Sequence, residues 1–438
     1  MRQIRNDRLR QDELLLIRND IFTVYRPVTE GASPLFPLRY ARTRPGSERV
    51  PTLVVPGGPG TASVLPFDQA RKLFAGRGID TVMMEHRGVG LSRLDARGRQ
   101  IPPSAITTDA VVADMRAVLD HARIPRACLY GTGYGAYLCL AFALRYPERT
   151  DSLVLDSPLV AASDQIWARR VLREKLWSRP GENQLAARVR DLIADGTLDP
   201  LEAGHGLRAV HEIGGPAALE KLITLLGEAG SGLTWTLIVA AMKQHFFSHA
   251  PYVQENDLLH ELAVNEFGRG SYADGLPLDT ASPLMPVPAS AAKPPVSPNG
   301  HWEKLSQISV PTTVLSGAWD ITCPPELAAE VSRRIPHAQL IRVPETGFSI
   351  LDSRAGAAAI ATQWTIRGAA AELTVRENEL LALPRTASGQ VLNGSVQLGL
   401  AAESLSPLRW RIQRAKVRRA QDPGARRRNR RAHAQGRR

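Results

Sequence analysis

Residues 127–137 read Ala-Cys-Leu-Tyr-Gly-Thr-Gly-Tyr-Gly-Ala-Tyr, an apolar run that meets three alternating glycines and then a helix-forming segment. Few folds accept a buried strand that turns so abruptly into a helix. The shape is that of a nucleophile elbow, G-x-S-x-G, in which a sharp turn lifts a serine hydroxyl above the end of a parallel sheet. Gly131 and Gly135 hold the flanking places, and the serine's place is Gly133. Glycine has no side chain to attack with. The segment therefore predicts a strand–turn–helix unit on a parallel sheet and lacks the group that such a unit normally presents.

The rest of the chain fits that unit. Apolar runs at 52–55, 81–84, 127–130 and 153–155 each stop at a glycine-, proline- or charge-bearing turn, and two more follow at 312–315 and 340–343. Continuous apolar runs bounded in this way are the pattern of parallel strands buried on both faces. Between them, Val111, Val112, Met115, Val118, Leu119 and Ala122 fall on one face of a helix. Alternating strands and helices imply a doubly wound α/β sheet with ligands at the carboxyl ends of the strands. From 159 to 300 the strand signal stops and helical patterns replace it, which predicts an all-helical cap inserted into the sheet. The expected division is core at 1–158, cap at 159–300, core again at 301–370, an extension at 371–408 and a basic tail at 409–438.

The formal charge of +12 sits at one end. Residues 409–438 carry thirteen Lys and Arg against one acid, Asp422, which leaves 42 of each sign in residues 1–408. The body is neutral, so the charge carries no information about a site on it. The tail has one aromatic residue, Trp410, and matches no nucleic-acid module. It is expected to be disordered, and to bind nucleic acid or another polyanion only non-specifically, through salt-sensitive counterion release. Met1 to Asp20 shows no secretory pattern, and no run approaches 18 apolar residues, so neither a transmembrane span nor a membrane partner is expected. Three cysteines without close spacing (Cys128, Cys139, Cys323) point to a reducing cytoplasm rather than a disulfide framework.

Four motifs, in order, resemble the prolyl aminopeptidase (proline iminopeptidase) branch of the α/β-hydrolases. They are the Pro-Gly-Gly-Pro-Gly loop at 56–60, Glu-His-Arg-Gly-Val-Gly-Leu-Ser at 85–92, the elbow, and Gly-Ala-Trp-Asp-Ile-Thr-Cys-Pro-Pro at 317–325. They span roughly residues 50–365. The resemblance implies the α/β-hydrolase fold with a helical cap, and an ancestral release of N-terminal residues from peptides or hydrolysis of small amides and esters. It places the nucleophile at Gly133, the triad acid at Asp320 and the general base at Phe348, so two of the three members are replaced. The amides of Tyr134 and Gly58 become the expected oxyanion donors, which side-chain changes do not remove. Glu255, Asp257 and Glu261 in the cap become candidates for holding a substrate ammonium, beside the plainer reading of a solvated helix face.

No substitute is evident. Thr132 should diverge from the site, Ser349 has no partner base, Cys323 should pack beneath Pro324 and Pro325, and His86 reads as a structural histidine. The expectation is a catalytically degenerate hydrolase scaffold that binds a peptide or small molecule, with no metal and no cofactor. Altered chemistry in the same pocket and nucleic-acid association through the tail are the alternatives.

Overall fold

The computed structural model describes residues 2–29, 31, 34–43, 50–179, 181–230, 232–247, 249–267, 272–281 and 300–406. The basic tail and most of the 281–300 segment lie outside the described residues.

The strands are β1 (Ile21–Pro27), β2 (Leu35–Thr43), β3 (Thr52–Val55), β4 (Thr81–Met84), β5 (Ala127–Thr132), β6 (Thr150–Asp156), β7 (His249–Ala250), β8 (Gln254–Glu255), β9 (Thr312–Gly317) and β10 (Gln339–Val343). Eight form one sheet in the order β1-β2-β4-β3-β5-β6-β9-β10. From β4 to β10 every pairing is parallel, and β1 and β2 are an antiparallel edge. The β3, β4, β5 and β9 strands are buried along their whole length, which is why their sequences show no alternation of polar and apolar residues. The chain leaves β3 for β4 on one side and then crosses to β5 on the other. That reversal of order opens a crevice at the carboxyl ends of β3 and β5.

The helices are α1 (Arg2–Leu15), α2 (Asp68–Gly76), α3 (Thr108–His121), α4 (Tyr134–Arg145), α5 (Gln165–Leu176), α6 (Gln184–Ala194), α7 (Pro200–Ala229), α8 (Leu233–Phe247), α9 (His260–Asn265), α10 (Pro325–Arg334), α11 (Ile350–Ser353), α12 (Ala355–Ile366), α13 (Glu377–Leu381) and α14 (Ala387–Leu405). The Thr107 side chain caps α3 by accepting the Ala110 amide, and the helix buries Val111, Val112, Met115, Val118 and Leu119. One sheet face packs Leu53, Leu129 and Leu153 against α3 and α4. The other packs Val54, Tyr130 and Val154 against α2 and α12.

The insertion between β6 and β9 carries α5 to α9 and is not wholly helical, because β7 and β8 form a two-residue antiparallel hairpin within it. Pairing with the core favours a strand there: the Glu255 amide donates to the Gly60 carbonyl (2.8 Å) and the Ala62 amide to Val253 (3.0 Å). Within α7 the helix breaks at Gly215 (φ 82°, ψ 178°), followed by Pro216. Proline removes a backbone donor and clashes with the preceding turn. The break rests on the loop after β9, where a Cβ on Gly215 would lie 2.7 Å from the Trp319 ring. The cap core takes in Ile321 from that loop and Val396 and Leu400 from α14.

Candidate functional site

Gly133 is the single residue between β5 and α4, at φ 52°, ψ −110°. Its amide donates to the Asp156 carbonyl (3.0 Å) at the end of β6. The flanking glycines are required by close approach. A Cβ on Gly131 would lie 2.4 Å from the Gly135 carbonyl oxygen, and one on Gly135 would lie 2.0 Å from that of Val55. The turn geometry of an elbow is thus present without a hydroxyl.

Phe348, in the loop after β10, lies against Gly133. A Cβ at position 133 would stand 2.8 Å from its Cζ, and one at Gly57 would stand 3.9 Å from its Cε1. The ring therefore occupies space between the elbow and the proline–glycine loop. Three successive groups hold it there. The Ser349 amide donates to Ser157 Oγ (3.1 Å), and the Ile350 and Leu351 amides donate to the two oxygens of Asp156 (3.0 Å each). Asp156 also accepts the Tyr130 hydroxyl (2.7 Å) and the Thr132 hydroxyl (3.0 Å). Sequence reasoning passed over Asp156, whose position in a plain Val-Leu-Asp-Ser strand end gives no sign that two loops converge on it.

Asp320 follows β9 and is 2 % exposed. Its Oδ1 accepts the Cys323 amide (2.7 Å), while Oδ2 is buried with no hydrogen-bond partner among the described residues. Burial first, and then the nearby Glu212 carboxylate, push the Asp320 acid well above the ordinary carboxylate range; the Cys323 amide and the Ser157 hydroxyl oppose this only in part. Glu212 comes from α7 and accepts the Ile321 and Thr322 amides (3.0 and 2.7 Å), so the cap fixes the acid loop.

A raised pKa has a defined linkage. The unfolded chain releases this proton near pH 4, whereas the folded chain retains it. Between those values the folded state binds more protons, so this group's contribution to stability falls as pH rises. Asp320→Asn keeps the Cys323 contact and carries no ionisable group. The difference in unfolding free energy between the two proteins should be smallest below pH 4 and widen in favour of the Asn variant towards pH 7. Denaturant titrations at the two pH values measure it, and a gap that narrows on raising the pH contradicts a protonated Asp320.

Burial pulls His86 down to about 4, so its ring is neutral at physiological pH. Nδ1 faces the Arg87 carbonyl (2.7 Å), which assigns the ring proton there and leaves Nε2 to accept the Tyr134 hydroxyl (3.0 Å). His86 thereby anchors the side chain of Tyr134, whose ring also meets Phe267 edge-on at 5.2 Å. Tyr134 is the first residue of α4, so its amide has no intrahelical acceptor. Among the described residues no backbone carbonyl takes up the amide of Tyr134 or of Gly58. A Cβ on Gly58 would lie 3.6 Å from the Tyr134 ring, which brings the two loops side by side.

The remaining residues singled out in the sequence lie elsewhere or are engaged. Glu255 is fully buried and accepts from Arg8 of α1 (2.7 Å) and from the Gly90 amide (2.7 Å). Asp257 pairs with Arg93 at 2.9 Å. Glu261 is exposed at the start of α9. Of the three, Glu255 borders the proline–glycine loop, its amide donating to the Gly60 carbonyl (2.8 Å). Arg8 lies outside any recognisable motif, so its reach to Glu255 was not legible. Thr132 donates to Asp156, Ser349 pairs with Asp352, and Cys323 is buried with its thiol pushed well up, first by burial and then by Asp320. The histidine nearest Phe348 in the chain, His337, offers no base in its place, since it is exposed on the turn before β10, at the opposite end of the strands.

A family model described as the alpha/beta hydrolase fold matches residues 51–355. A probable proline iminopeptidase of Leptolyngbya boryana is 21% identical over 305 residues, which cover 69% of this chain and 82% of that protein. The proline iminopeptidase of Neisseria meningitidis serogroup A / serotype 4A is 24% identical over 304 residues, covering 69% and 84%. A solved serine hydrolase from Cycloclasticus zankles is 16% identical, with a TM-score of 0.45 over 80% of this chain and 98% of that one. No helix among the described residues is long and apolar enough to cross a membrane.

Proposed function

Because the chain belongs to the alpha/beta hydrolase fold family, we propose that it is a hydrolase scaffold that has given up serine chemistry and binds a peptide or small acyl ligand in the crevice beneath its cap. The observation that carries this reading is the pair Gly133 and Phe348. The elbow offers no hydroxyl, and the ring in the base's place fills the volume that a serine Cβ would need. Asp320 supports it, because an orienting carboxylate without an imidazole is left with a retained proton and with one buried oxygen that has no hydrogen-bond partner among the described residues. The likeness to proline iminopeptidases points to the N-terminal part of a peptide as the ligand class. The amides of Tyr134 and Gly58, which no backbone carbonyl takes up among the described residues, suit its carbonyl oxygen.

Treatment of the purified protein with a fluorophosphonate probe tests this directly. No adduct is expected at 10² times the exposure that labels an active serine hydrolase completely, because phosphonylation needs an activated oxygen nucleophile (about 10²–10⁴ of such reactivity comes from the base alone). A stoichiometric adduct on any serine or threonine of the crevice would falsify the reading.

A further inference from the structure

Six of the sixteen large apolar side chains that the described residues leave exposed lie on two neighbouring helices. Leu233 and Leu237 belong to α8, and Val391, Leu392, Leu398 and Leu405 to α14, each 55–79% exposed. The helices touch where a Cβ on Gly399 would lie 3.2 Å from Thr234, and where Glu403 accepts the Thr234 amide (3.3 Å). Val391, Leu398 and Leu405 recur every seven residues and form one stripe along α14. Cap packing does not use this stripe, because α14 meets the cap core through Val396 and Leu400 on another face. Nor is it dressed for water. The one Asp, Glu, Lys or Arg of α14 is Glu403, turned towards α8, and that of α8 is Lys243, paired with Glu202. Scattered exposed leucines need no explanation, but an uncharged cluster on adjoining helices marks an interaction surface.

The chain beyond the stripe says what covers it. Residues 1–408 are formally neutral, and the thirteen cations of 409–438 begin four residues after Leu405. Four residues of chain reach at most about 14 Å, so the first of those cations is tethered close to the apolar face. We propose that the exposed face of α8 and α14 docks on an anionic lipid surface, with residues 409–438 supplying the electrostatic attraction. An apolar face and a polybasic segment are each weak membrane signals and together give stable association. Nucleic acid would satisfy the cations and leave the leucines in water. A second copy of the chain would cover the leucines and bring two segments of strong like charge together. The expectation of no membrane partner came from the lack of a spanning segment, and a face that lies on the surface needs no span.

Co-sedimentation of the full chain with vesicles separates these readings. Three proteins are compared: the unmodified chain, Leu398→Ser with Leu405→Ser, and Arg426→Gln with Arg427→Gln, Arg428→Gln, Arg430→Gln and Arg431→Gln. The unmodified chain should bind vesicles of phosphatidylcholine with phosphatidylserine at low salt, and bind phosphatidylcholine alone at least about tenfold more weakly. Each variant should lose at least about tenfold in affinity for the anionic vesicles. The substituted leucines are exposed, so unchanged circular dichroism and melting are expected, and they show that the loss is not unfolding. Undiminished binding by the leucine variant overturns the proposal in favour of a simple polyanion-binding tail. A dimer of the unmodified chain that the leucine variant abolishes overturns it in favour of a second copy.

Discussion

Gly133→Ser alone is expected to give no measurable turnover on aminoacyl or short acyl reporters, whereas Gly133→Ser combined with Phe348→His should exceed it by at least about 10²-fold, the lower end of what a positioned general base supplies. The single variant has two faults. Its hydroxyl stays protonated without a base, and its Cβ would stand 2.8 Å from Phe348 Cζ. The ring is held by the anchored amides of Ser349, Ile350 and Leu351 and cannot retreat freely, so overpacking of this kind should cost about 1–3 kcal/mol of stability. The second substitution relieves the clash and supplies the base, and Asp320 is expected to orient the new imidazole through Oδ2. Its pKa should then fall, as it does for a carboxylate beside an imidazolium. Removing the serine or histidine from a working triad costs about 10⁶ in kcat, and recovery here is expected to be partial because imidazole is smaller than the phenyl ring it replaces. A folded double variant as inert as the single one would show that the crevice has been rebuilt for another task.

The largest loss of stability is expected at Asp156, which lies outside every sequence motif. Asp156→Ala would strip partners from the Ile350 and Leu351 amides and from the Tyr130 and Thr132 hydroxyls, all of them buried. An orphaned buried polar group costs about 1–3 kcal/mol, so the four together should cost about 4 kcal/mol or more in denaturant unfolding. Tyr130→Phe removes one of these bonds and leaves the carboxylate its other donors, so it should cost about 1 kcal/mol. Hydrogen exchange should also quicken at Ile350 and Leu351 in the Asp156 variant, because those amides fix the segment that carries Phe348. Equal costs for the two substitutions would mean that Asp156 does not hold the elbow and the Phe348 loop together.

Much of this molecule was legible in the chain because local chemistry carried it. Continuous apolar runs gave the parallel strands, since a strand covered on both faces has no polar side to show. The stripe from Val111 to Leu119 gave α3, and the glycines of 131–135 gave a turn that only small residues allow. The edge strands β1 and β2 were not read. The alternately buried β2 faces water on one side and is interrupted by Pro37, and its pairing with β4 is fixed by residues some forty positions away. The hairpin β7–β8 escaped notice for a similar reason, because two residues per strand make no periodicity and the pairing with Gly60 and Ala62 creates it. That glycine and phenylalanine stand at 133 and 348, where the family resemblance expects serine and histidine, was legible in the chain, because the motifs mark those positions by spacing.

Tertiary structure alone decided what surrounds those two positions. It laid the Phe348 ring over Gly133, tied both loops to Asp156, and brought Glu212 of the cap beside Asp320. It also joined Glu255 to Arg8, 247 positions away. Each of these is a contact between residues that chain order separates and burial forces together. Their energies depend on desolvation and distance, which a linear sequence does not contain.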